Sequence, residues 1–226
     1  MNYTDFSNNP TISAIYDKVN SHNATLLVVS KRRSNADIKK IYDMGFMEMG
    51  ENRVQDLLEK KDKLPADINW HIIGGLQRNK VKYIADFIYK IHSVDSIKLA
   101  VEINKQAAKH DRKIPVLLQF KVAEEESKQG FSPSSKDAVI KEILEQKLDH
   151  IEINGIMGMA SFTDDKDQVK QEFNVLKSIF DSIKSSYSEA LPHFKELSMG
   201  MSGDYELALE CGSTMVRLGS VIFNDL

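Results

Sequence analysis

The chain has one cysteine, Cys211, in 226 residues. A lone cysteine cannot form an internal disulfide, which suits a reducing compartment and sets the expectation of a cytoplasmic protein. No uninterrupted apolar run reaches the roughly 18 residues of a membrane span, so no membrane association is expected. The segment Met1 to Pro10 is polar and lacks the apolar stretch of a secretory signal. Charge of one sign is also missing. The 30 basic and 33 acidic residues give a net charge of −3, with no global pull towards nucleic acid. The six histidines (His22, His71, His92, His110, His150 and His193) show no metal-ligand spacing. No His–Cys or Ser–His pair has the spacing of a nucleophilic centre. What is present is ordinary globular material, 42% hydrophobic and 28% charged, enough to bury a large core.

Apolar runs alternate with amphipathic stretches. Leu26 to Val29, Phe46 to Met49, Trp70 to Ile73 and Tyr89 to Val94 read as strands. So do Pro115 to Phe120, Ile151 to Met159, Lys195 to Met199 and Thr214 to Leu218. Helical spacing falls between them, at Asn35–Asp43, Asn52–Lys63 and Asn79–Asp86. It returns after Asp95, at Asp137–Gln146, Asp164–Ser185 and Gly203–Glu210. Asp95 is the expected N-cap of the fourth of these helices. The run Glu124–Glu126 reads as a solvated loop.

Strands alternating with helices imply parallel pairing with helical crossovers. Eight such units in about 200 residues fit a single (β/α)8 barrel spanning 1–226. An open doubly wound sheet is the second choice. The chain stops eight residues after the last strand, too soon for a further helix. An extra N-terminal helix carrying Ile12, Ile15, Tyr16 and Val19 is positioned to fill that gap.

In such barrels the chemistry sits at the C-terminal ends of the strands. Those ends carry Ser30-Lys31, Gly50-Glu51-Asn52, Gly74-Gly75, Ser198 to Ser202 and Arg217 to Ser220. Glycines and serines after strands 7 and 8 suit a phosphate-bearing ligand, because glycine lets backbone N–H groups approach an anion. Lys31 is either a snorkelling surface lysine or a Schiff-base lysine, the latter needing a partly desolvated amine. Arg217 either forms a salt bridge with an acid such as Glu196 or faces a ligand. Facing a pyridine ring, it would leave the ring nitrogen unprotonated, because guanidinium only donates. Lys31-Arg32-Arg33 and Arg78-Asn79-Lys80 read as solvated loop charges. Met157, Met159, Met199 and Met201 read as adaptable filler at a pocket floor.

Several segments together carry a resemblance: Val29-Ser30-Lys31, Gly50 to Gln55, Trp70 to Lys80, and His92 to Asp95. Gly130-Phe131, Gly155 to Ala160, Leu197 to Asp204 and Gly212 to Ser220 continue it in the same order. The chain resembles the pyridoxal phosphate homeostasis proteins over nearly its whole length. The resemblance implies a barrel like the N-terminal domain of alanine racemase, without the second domain. It implies that Lys31 holds pyridoxal 5′-phosphate as an internal aldimine, and that Arg217 faces the pyridine nitrogen. Ser198, Gly219 and Ser220 are implied to bind the phosphate, with Asn52 and Ser202 lining the site. Two positions depart from the family pattern: Ser34 replaces a frequent proline, and Ser220 a frequent threonine.

The implied role is a cofactor carrier rather than an enzyme. It would keep the reactive aldehyde sequestered and pass it to apo-enzymes that depend on pyridoxal phosphate. The protein is expected to be a monomer or weak dimer. One alternative is an amino-acid racemase of the alanine racemase type, which needs a base opposite Lys31. Another is a sugar-phosphate barrel enzyme without cofactor.

Overall fold

A computed structural model describes residues 9–123, 129–224 and 226. Residues 1–8 of the polar start and Glu124–Glu126 therefore lie outside the described residues. Eight parallel strands close into a barrel in sequence order. They are β1 (Thr25–Val29), β2 (Glu48–Glu51), β3 (Asn69–Ile72) and β4 (Lys90–Val94). Then come β5 (Ile114–Gln119), β6 (Ile151–Met157), β7 (Glu196–Ser198) and β8 (Met215–Leu218). The seam pairs β1 with β8, with Thr25 opposite Met215 and Val28 opposite Leu218.

Helix α1 (Pro10–Ser21) precedes the barrel, and α2 (Asn35–Asp43) and α3 (Val54–Lys61) follow β1 and β2. Then come α4 (Ile97–Ala108), α5 (Lys136–Glu145), α6 (Lys166–Ser186), α7 (Tyr205–Glu210) and α8 (Ser220–Phe223). α1 buries Ile12, Ile15 and Val19, and its Lys18 reaches Glu206 of α7 at 2.8 Å. It thus covers the seam as the sequence predicts. The expectation of no helix after the last strand is corrected by the single turn of α8, which buries Ile222 and Phe223.

The elements form for local reasons. Ser34 caps α2 by accepting from the Asp37 N–H at 3.1 Å, so the residue in place of a proline starts the helix by another route. Ser96, one residue later than expected, caps α4. The third crossover is a 3-10 helix, Arg78–Tyr83, in place of the expected α-helix. Its only buried residue is Val81, too little apolar surface to anchor a longer helix.

Alternation along each strand sorts the two layers. Trp70 and Ile72, Ile91, Leu197, and Val216 and Leu218 join the core between barrel and helices. Their neighbours Glu48, His71, Lys90, His92, Glu196, Ser198 and Arg217 consequently turn into the barrel. Among the described residues no helix is long and apolar enough to cross a membrane.

Candidate functional site at the barrel mouth

The strand C-terminal ends open into a cavity of about 940 Å³, of a size that takes a cofactor-sized ligand. Its walls bring together Lys31, Asn52, Ser202, Arg217, Gly219 and Ser220. Six of the seven sequence-predicted site residues therefore share one cavity. Ser198 does not line it. It is fully buried one layer below, where its carbonyl and Oγ accept from the Arg217 Nη1 at 2.9 and 2.7 Å.

Lys31 follows β1 in a turn completed by Arg32, whose φ of 61° lies in the left-handed region. Its side chain is exposed. The partial desolvation expected of a Schiff-base lysine is not seen at this exposed side chain. The residue before it is firmly anchored. The Ser30 Oγ donates to Glu51 Oε1 at 2.7 Å, and Lys60 Nζ donates to the Ser30 carbonyl and to the same carboxylate oxygen, at 2.8 and 2.6 Å. This buried ion pair fixes the backbone from which Lys31 projects.

Arg217 is buried at 4% exposure. Its Nη2 donates to the Gly158 carbonyl at 3.0 Å. Among the described residues no carboxylate forms an ion pair with it. Burial pulls its pKa down to about 10, opposed by the field of Asp204. The alternative reading of Arg217 as a partner of Glu196 is corrected: Glu196 is paired with Lys90 at the other end of the barrel.

The serine and glycine rim is compact. The Gly219 N–H donates to Ser202 Oγ at 3.3 Å. A Cβ on Gly219 would lie 3.2 Å from the Val29 carbonyl, so glycine is what lets this backbone sit against β1. Gly74 is constrained more tightly, since a Cβ there would meet the Asn52 carbonyl at 2.4 Å. Arg32 and Arg33 also line the cavity, Arg32 remaining exposed as a solvated loop charge. Met159 and Met201 line it as expected, whereas Met157 and Met199 are buried away from it. Sequence reasoning missed Gln119, which donates from Nε2 to the Gln129 carbonyl at 2.7 Å and ties down the loop beside the mouth. Its signal was position alone, the last residue of β5.

A closed parallel barrel with this mouth defines a protein of the alanine racemase N-terminal fold. The family model described as alanine racemase, N-terminal domain, matches residues 12–226. The chain is 38% identical over 205 residues to the pyridoxal phosphate homeostasis protein of Aquifex aeolicus, covering 89% of this chain and 87% of that one. It is 36% identical to the Pasteurella multocida protein of the same name, covering 88% and 84%. The structure of PipY from Synechococcus elongatus with pyridoxal phosphate bound superposes with a TM-score of 0.82. It is 28% identical and covers 94% of this chain and 98% of that chain. Alanine racemase of Clostridium difficile shares the fold at 17% identity and a TM-score of 0.71, and this chain spans 55% of it. The chain belongs to the pyridoxal phosphate homeostasis protein family.

Proposed function

We propose that the protein binds pyridoxal 5′-phosphate reversibly at the barrel mouth and holds it for exchange with the cell's apo-enzymes. One observation carries this reading: a lysine amine and a buried guanidinium with no ion-paired carboxylate among the described residues share one open cavity with a serine and glycine rim. The residues fit the group. Ser202, Ser220 and the Gly219 backbone form the phosphate cradle, whose close approach to Val29 an added Cβ would crowd. Arg217 faces the ring nitrogen, and Asn52, after β2, lines the same cavity. Ser198, placed below Arg217, acts on that arginine rather than on the phosphate. The cofactor's aldehyde supplies an electrophile that condenses with a lysine amine, and Lys31 is that amine.

Two features favour holding over turnover. Arginine cannot accept a hydrogen bond from a protonated ring nitrogen, so the nitrogen stays unprotonated and the ring is the weaker electron sink. Among the described residues lining the cavity there is no tyrosine to serve as the opposing base of a racemase. The open mouth suits release, and the soluble carrier reading includes a cytoplasmic location and a monomer or weak dimer.

The test is the visible spectrum of protein with added pyridoxal phosphate, before and after borohydride, beside Lys31→Ala. We expect a visible band, a permanent mass increase on the Lys31 peptide, and neither in the variant. A wild-type protein with no band, or an adduct on another lysine, overturns the assignment. Interconversion of alanine enantiomers above the Lys31→Ala background would replace the carrier with a racemase.

A further inference from the structure

Polar side chains from five strands touch in series inside the barrel. Glu48 Oε2 lies 2.6 Å from His71 Nε2, and His71 Nδ1 lies 2.8 Å from His92 Nε2. His92 Nδ1 lies 3.5 Å from Ser198 Oγ, the longest link, and Ser198 Oγ lies 2.7 Å from Arg217. Both histidines are fully buried. The groups facing them are Glu48 from β2, Lys90 from β4, Glu196 from β7, Arg217 from β8, and the Tyr89 ring at 5.2 Å.

Burial pushes both histidines below the ordinary imidazole range, and Lys90 adds to this on each. Each is therefore neutral near pH 7, with one N–H and one bare nitrogen. The Glu48 carboxylate only accepts, its pKa being lowered by His71 against the opposing effect of burial. His71 must then carry its proton on Nε2. That leaves His71 Nδ1 bare, so His92 carries its proton on Nε2 as well. Ser198 then donates to the bare His92 Nδ1, and its Oγ accepts from Arg217. A single order of protons satisfies all four links.

We infer that Glu48, His71, His92 and Ser198 form a proton-ordered chain that positions Arg217 at the floor of the mouth. Every dipole in it points the same way, so the carboxylate at the base of the barrel biases the guanidinium at its top. Its effect on a ligand rests on the reading that Arg217 faces the bound ring, but the proton order belongs to the protein alone.

The test is nitrogen NMR of protein labelled at histidine and arginine, without cofactor, from pH 5.5 to 8. We expect His71 and His92 to be neutral and protonated on Nε2 at the upper end of this range. Ser198→Ala should move the His92 Nδ1 resonance and speed exchange at the Arg217 guanidinium, and Ser198→Thr should restore both. Protonation of His71 or His92 on Nδ1, or an Arg217 signal indifferent to Ser198→Ala, overturns the chain. Pyridoxal phosphate is then added. A shifted absorbance maximum in Ser198→Ala, restored in Ser198→Thr, supports the link to the ligand. If no variant or wild-type protein takes up pyridoxal phosphate, the cofactor reading fails while the NMR result still decides the chain.

Discussion

The two ends of the barrel interior handle charge in opposite ways. At the base, Lys90 is paired with Glu196, and Glu48 accepts from both His71 and Asn69 at 2.6 and 2.8 Å. At the mouth, Arg217 is buried against neutral oxygens, and Lys31 projects without a carboxylate partner among the described residues. The base closes its electrostatics internally, as a structural plug does. The mouth keeps positive charge unspent where an anion can reach it. Burial alone does not mark function; what separates Lys90 from Arg217 is that only the first of these buried cations has an ion-paired carboxylate.

That contrast can be broken most directly by mutation. Glu196→Ala leaves Lys90 buried and unpaired, and we expect a loss of about 3–5 kcal/mol in chemical denaturation. Arg217→Met removes a charge with no ion-pair partner, and its stability should stay within about 1 kcal/mol of wild type while ligand affinity falls. Equal losses in the two variants would end the distinction.

The pH dependence sharpens it further. His71 and His92 titrate lower in the folded protein than in the unfolded chain, so the unfolded chain binds more protons below about pH 6.5. Stability is complete above that value and falls with acid, by up to about 1.4 kcal/mol per pH unit for each histidine. Denaturation midpoints between pH 7.5 and 5.5 check this, and a flat profile contradicts buried neutral imidazoles. Ser34→Ala, beside the mouth, removes the α2 cap and should cost about 1 kcal/mol by the same assay. Lys39→Ala breaks an exposed pair with Asp43 and should change stability by about 0.5 kcal/mol or less.

The barrel was legible because each strand is a short apolar run between polar segments, and eight of them in series admit few topologies. Lys31 and the Gly219–Ser220 turn were legible for a similar reason: they sit directly at strand ends. Ser198 was misjudged by one layer. β7 ends at Ser198 itself, so its side chain falls within the barrel, while Ser202 reaches the rim. The Glu48–His71–His92 series could not be read from spacing. His71 lies 21 residues from His92 and 23 from Glu48, and only the parallel pairing of β2, β3 and β4 places the three in contact. The alternation Trp70-His71-Ile72 did carry a signal, since a histidine between two core residues must face inward.

The seam between β1 and β8 joins residues about 190 positions apart, and it has a kinetic consequence. Contacts so distant in sequence form late, after most loop-closure entropy has been lost. Lys31 rides on one side of that seam and Arg217 on the other, so the binding mouth does not exist until the ring is shut. A ligand held across it stabilises only the closed form, by mass action. Cofactor capture would therefore act as a clasp on the last step of folding, slowing the reopening through which proteases and aggregation gain entry.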